Sequence, residues 1–67
     1  MIYYMLISGH TAKDWQTAYT IAYEELYKQI EDAGYFAIPE SLEVTRDSYM
    51  VHYGWLCSMK YSDVQDL

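Results

Sequence analysis

The sequence predicts a small α+β domain with the element order β-α-β-β: a three-stranded mixed sheet in the order 1-3-2, with one amphipathic helix packed on one face. Three observations predict it. Residues 2–8 are a dense β-branched and aromatic run. A single apolar stripe at helical spacing follows. Two segments with strand alternation, separated by turn-forming residues, complete the chain. A right-handed crossover makes strands 1 and 2 run the same way, and a hairpin then turns strand 3 against both. Strand 3 between the other two satisfies every direction.

The first strand, Ile-Tyr-Tyr-Met-Leu-Ile-Ser, is apolar at successive positions and ends at Gly9. Thr11 is placed as the helix N-cap, with Asp14 answering three residues later at the positive end of the dipole. Trp15, Ala18, Tyr19, Ala22, Leu26, Ile30 and Ala33 then recur at spacings of three and four, the core stripe of a helix of roughly five turns. Gly34 stands where a left-handed C-cap belongs, with Tyr35 folding back on Ile30. Pro39 ends the connector and opens an extended segment. Residues 42–46 alternate as strand 2, and Arg46, Asp47 and Ser48 form a turn. Strand 3 runs over residues 49–61. Its apolar face is Tyr49, Val51, Tyr53, Trp55, Cys57, Met59 and Tyr61, and Gly54 is a candidate bulge or close approach.

One helix cannot cover both faces of such a sheet. The second face is expected to carry Met50 and Leu56, with Tyr4 and Leu6 or else Tyr3 and Met5. That makes an apolar patch suited to homodimerisation.

Length and composition bound the rest. Sixty-seven residues make one compact domain, 1–67, of marginal stability. An apolar content of 52% separates it from acidic disordered tails. The lone Cys57 favours a reducing compartment and a place in the core. The short N-terminal apolar run has no basic leader and no cleavage site, and no stretch nears a membrane span. The chain therefore reads as a complete, soluble, cytoplasmic protein, with no membrane partner.

Chemistry-bearing residues are sparse. No residues are spaced to give His10 or His52 a catalytic or metal-binding role, and Cys57 would point away from His52 on one strand. Residues 8–11 precede a helix but lack the glycines and lysine of a phosphate loop. No enzyme activity, cofactor or metal site is expected.

Nine tyrosines and ten Asp/Glu share the chain with four Lys/Arg, giving a net charge of −6. Tyrosine provides rigid amphipathic contact area. Excess carboxylate repels nucleic acid and attracts basic surfaces. The predicted partner-binding residues are Asp14, Ile21, Glu24, Glu25, Glu31 and Asp32 on the outer helix, with Tyr23 and Tyr27 beside them. Glu31 and Asp32 stand in the last turn, where the dipole disfavours them. Ile21 is read as an exposed anchor within an acidic ring. The expected function is a protein-binding module, an inhibitor of the phage or mobile-element type that occupies a basic, nucleic-acid-binding surface of a larger host protein. The charge is compatible with mimicry of DNA without requiring it. The alternative expectation is a homodimeric structural or regulatory module paired through the open sheet face.

Overall fold

The computed structural model describes residues 1–47 and 53–65. Strand β1 (Ile2–Ile7) leads into helix α1 (Trp15–Asp32). A two-residue strand β2 (Phe36–Ala37), a 3₁₀ turn (Pro39–Ser41), strand β3 (Glu43–Asp47) and strand β4 (Gly54–Ser62) follow. One helix packs on a four-stranded sheet, an α+β arrangement in which β1, β2 and β3 all pair with β4.

Every pairing is antiparallel and the strands number four, so the expected three-stranded, mixed sheet is corrected in strand count and type, while the last strand does run against both of its expected neighbours. β4 lies between β1 on one side and β2 with β3 on the other. β1 and β3 therefore run the same way without bonding to each other. The extra strand arises at Pro39. The sequence reading placed an extended segment there, but residues 39–41 coil into a 3₁₀ turn and split one lane of the sheet in two. The break stays attached to β4: the Ile38 N–H donates to the Lys60 carbonyl at 3.0 Å, and the Lys60 N–H donates to Ser41 Oγ at 2.8 Å.

The alternation along β4 sorts the faces. Trp55, Cys57 and Met59 are buried, while Leu56 and Lys60 are exposed. Tyr3, Met5 and Ile7 of β1 and Val44 of β3 share the inner face. Against it α1 sets Ala18, Ala22, Leu26 and Ile30, all fully buried. Residues 49–52 of the expected third strand lie outside the described residues. Tyr53, assigned to that strand's apolar face, instead precedes β4, 59% exposed and with a positive φ of 47°. Gly54, read as a bulge or a close approach, is buried and opens β4 opposite Asp47. Arg46 and Asp47, placed in a turn, are the last residues of β3.

Both helix ends have a physical cause. Asp14, not Thr11, is the N-cap: its backbone is extended and its carboxylate accepts the Thr17 N–H at 2.7 Å. Thr11 is taken up earlier, because its N–H and that of Ala12 both donate to the Ser8 carbonyl at 3.0 Å. This turn drives Ala12 into the core, where its carbonyl accepts the buried Trp55 Nε1–H at 2.8 Å. At the other end, Gly34 has φ +87°. Its N–H reaches the Glu31 carbonyl at 3.0 Å and the Tyr35 N–H reaches the Ile30 carbonyl at 3.1 Å. Those two bonds form a Schellman motif, in which glycine takes the left-handed position without steric cost.

A candidate protein-binding surface on the helix

Aromatic residues stand at every fourth position from Trp15 through Tyr19 and Tyr23 to Tyr27. Residues four apart lie one above another on a helix. Each step also moves about 40° around the axis. The row therefore climbs from the core edge onto the flank of α1. Its ring centroids are 4.9, 6.4 and 6.1 Å apart in chain order, and the planes of the last pair lie within 11°. The predicted contacts Tyr23 and Tyr27 are thus parts of one stacked ladder, 38% and 40% exposed. Trp15, expected on the core stripe, is 52% exposed and holds the near end of the ladder, its Nε1–H donating to the Val44 carbonyl at 3.0 Å.

The ladder runs into a hollow of about 330 Å³. Tyr27 and Phe36 give it aromatic walls, Glu31 and Glu40 give it carboxylates, and Pro39 and Val64 close it. The Glu31 carboxylate accepts the Ala37 N–H at 3.1 Å, so this acidic residue clips the end of the helix to β2. The disfavoured place expected for Glu31 in the last turn is thus offset by a backbone donor six residues further on. Phe36 and Glu40 were missed by sequence reasoning. Both stand in the connector, and no periodicity links them to the helix.

The other predicted acids do not form one ring. Glu24 and Glu31, seven apart, belong to the row beside the tyrosines. Glu25 and Asp32, also seven apart, lie about 100° further round, beyond the row of Ile21 and Lys28. Glu25 Oε1 accepts from Gln29 Nε2 at 3.0 Å. Asp14 is committed to its cap, and the hydrogen bond from the Thr17 backbone holds its carboxyl below the ordinary carboxylate range. Ile21 is only partly exposed and packs against the core, so it is no exposed anchor. It shares a shallow groove with Asp14, Gln16, Thr17 and Thr20 at the start of the helix.

The second sheet face presents Tyr4, Leu6 and Leu56, 62%, 58% and 39% exposed, with Leu6 directly opposite Leu56. Of the two β1 sets weighed, Tyr4 and Leu6 point there. Tyr3 and Met5 face the core. Met50 lies outside the described residues.

Cys57 is fully buried, and burial pushes its thiol pKa up. Tyr61 lies 5.0 Å from Tyr3 and 4.8 Å from Tyr35, ring to ring. Burial, then those two neighbours, raises its phenol pKa. The side chain of His10 is exposed. Among the described residues no group of three His, Cys, Asp or Glu is placed to hold a metal ion. No helix among the described residues is long and apolar enough to cross a membrane.

No protein-family model, curated protein or solved structure matches the chain.

Proposed function

We propose that the protein is a non-enzymatic binding module that docks on a basic surface of a larger protein. The aromatic ladder supplies the contact area, and the hollow at its end receives a Lys or Arg side chain. Aromatic faces attract cations, and carboxylates pair with them. Tyr27, Phe36, Glu31 and Glu40 offer both within one cleft, and this is the observation that carries the reading. Basic surfaces of this kind commonly bind nucleic acid, so occupation by an acidic protein inhibits. That is the mode of action of small phage and mobile-element inhibitors of host enzymes.

The test is capture from bacterial lysate at low and high salt, repeated with a Glu31→Gln/Glu40→Gln variant and with Tyr27→Ala. Glutamine at position 31 keeps an oxygen for the Ala37 N–H, so the fold is retained. The expected result is a nucleic-acid-handling protein held at low salt, released by high salt or by competing oligonucleotide, and lost with both variants. Equal capture by wild type and variants overturns the assignment of the hollow.

The exposed Tyr4, Leu6 and Leu56 favour a second reading, a homodimer packed through the open sheet face. Leu56→Ser would abolish such a dimer. A dimer unaffected by it excludes that face as the interface.

A further inference from the structure

Met1 and Tyr61 exchange backbone hydrogen bonds, the Tyr61 N–H to the Met1 carbonyl at 2.9 Å and the Met1 nitrogen to the Tyr61 carbonyl at 3.5 Å. In an antiparallel ladder such mutually bonded pairs alternate with unbonded ones. The register pairs Tyr3 with Met59, Met5 with Cys57 and Ile7 with Trp55. Those residues therefore turn their backbone groups toward β4. Ile2, Tyr4 and Leu6 turn theirs away, to the free side of the strand. β1 pairs only with β4 among the described residues, and no other described backbone hydrogen bond reaches these three.

A row of unpaired N–H and C=O groups is a template for another strand, and proteins ordinarily block it with charge, proline or a bulge. The opposite edge of the sheet carries Glu40, Glu43, Arg46 and Asp47, with Pro39 beside them. β1 has no charged residue and no proline. We infer that β1 is the interface of an edge-to-edge homodimer, in which two copies pair antiparallel about a two-fold axis through Tyr4. This does not rest on the proposed docking function.

The occupant is a second copy because the segment is complementary to itself. With Tyr4 opposite its counterpart, Ile2 meets the partner copy's Leu6 and Leu6 meets its Ile2. All three positions turn their backbone groups outward, so the register forms roughly six inter-chain hydrogen bonds. Apolar and aromatic residues face each other at each of these positions, the cross-strand pairs that stabilise sheets. Charge points the same way. Ten carboxylates make two copies repel, and the repulsion is least along the edge that has none. A basic partner would find nothing to pair with there.

Amide hydrogen exchange is the first test, because it needs no substitution. In the monomer the Tyr3, Met5 and Ile7 amides are protected and those of Ile2, Tyr4 and Leu6 are open. Raising the chain from about 1 µM to about 1 mM should slow exchange at Ile2, Tyr4 and Leu6 at least about tenfold, as the sedimentation mass rises toward twice the monomer. A synthetic chain N-methylated at Tyr4 keeps every side chain and every bond to β4, and should remain monomeric. Tyr4→Lys should do the same. Three results overturn the inference: a monomer at every concentration, a dimer whose three amides stay open, or a dimer that survives N-methylation but is broken by Leu56→Ser. The last would assign the contact to the open face.

Discussion

The two tryptophans bear unequal loads. Trp55 is 7% exposed and its indole N–H spans 43 positions of sequence to the Ala12 carbonyl, while the Arg46 guanidinium lies 4.5 Å above its ring. Trp55→Phe keeps most of the apolar volume but leaves a buried carbonyl without its donor. An orphaned buried group costs about 1–3 kcal/mol. Trp55→Phe should lower the unfolding free energy by that amount, read as a lower urea midpoint with the m-value unchanged, whereas Trp15→Phe, at a half-exposed ring, should cost less. Gly34 allows a cleaner measurement. Its φ is +87° and a methyl group there would meet nothing within 4 Å, so the cost of Gly34→Ala is purely one of backbone conformation, about 1 kcal/mol. A Gly34→Ala variant as stable as wild type in the same titration would show that the helix does not end in a left-handed residue. Cys57 reports on opening: its buried thiol should react with a disulfide reagent only at the rate of unfolding, and rapid labelling of native protein would contradict its burial.

At the scale of elements, β4 organises the sheet, since each other strand pairs with it. Where the adjoining lane breaks, the Ser41 hydroxyl takes the place of a missing strand carbonyl for the Lys60 N–H. Ser41→Ala should cost about 1 kcal/mol and speed exchange of the Lys60 amide selectively. If that amide exchanges no faster, the hydroxyl is not its partner. The helix start carries a pH dependence. The folded-state pKa of Asp14 is lowered, so the stability from its cap is fully present above about pH 4 and is lost as pH falls through the lowered value. Asp14→Asn retains a capping oxygen and should remove this portion of the acid transition. The sequence made the regular elements legible: β1, the helix with its Gly34 end, and the alternation that buries Trp55, Cys57 and Met59 announce themselves through local periodicity. Long-range ties hid the rest. Thr11 lost the cap because Ser8 and Trp55 fix the preceding turn. Pro39 bends into a 3₁₀ turn because Ser41 and Lys60 support it there. The Tyr27–Phe36 hollow joins residues from the helix, the connector and the tail, and Glu31 became a clip only once Ala37 returned beside it.

For the whole molecule, the two proposed surfaces respond oppositely to salt. The net charge of −6 makes two copies repel, and the sequence isoelectric point is about 4.4. Edge pairing contains no ionic contact, so screening removes only that repulsion. Docking on a basic surface depends on attraction across the contact, which the same ions weaken. Raising salt from about 50 mM to about 500 mM should therefore strengthen the homodimer measured by sedimentation and weaken capture of a basic partner by the same preparation. Lowering pH toward the isoelectric point should also strengthen the dimer, as carboxylates lose charge. The two-fold axis through Tyr4 stands perpendicular to the sheet, because the paired Tyr4 side chains lie on one face. Both helices then project from the same side and present two ladders together. A partner displayed densely on a surface should consequently hold wild-type protein more tightly than the N-methyl-Tyr4 monomer, through effective concentration alone. In solution, against single partner molecules, the two forms should bind alike. Equal retention on the surface would mean that the helices do not face one way. A homodimer weakened by salt would mean that charged groups, and not β1, hold the copies together.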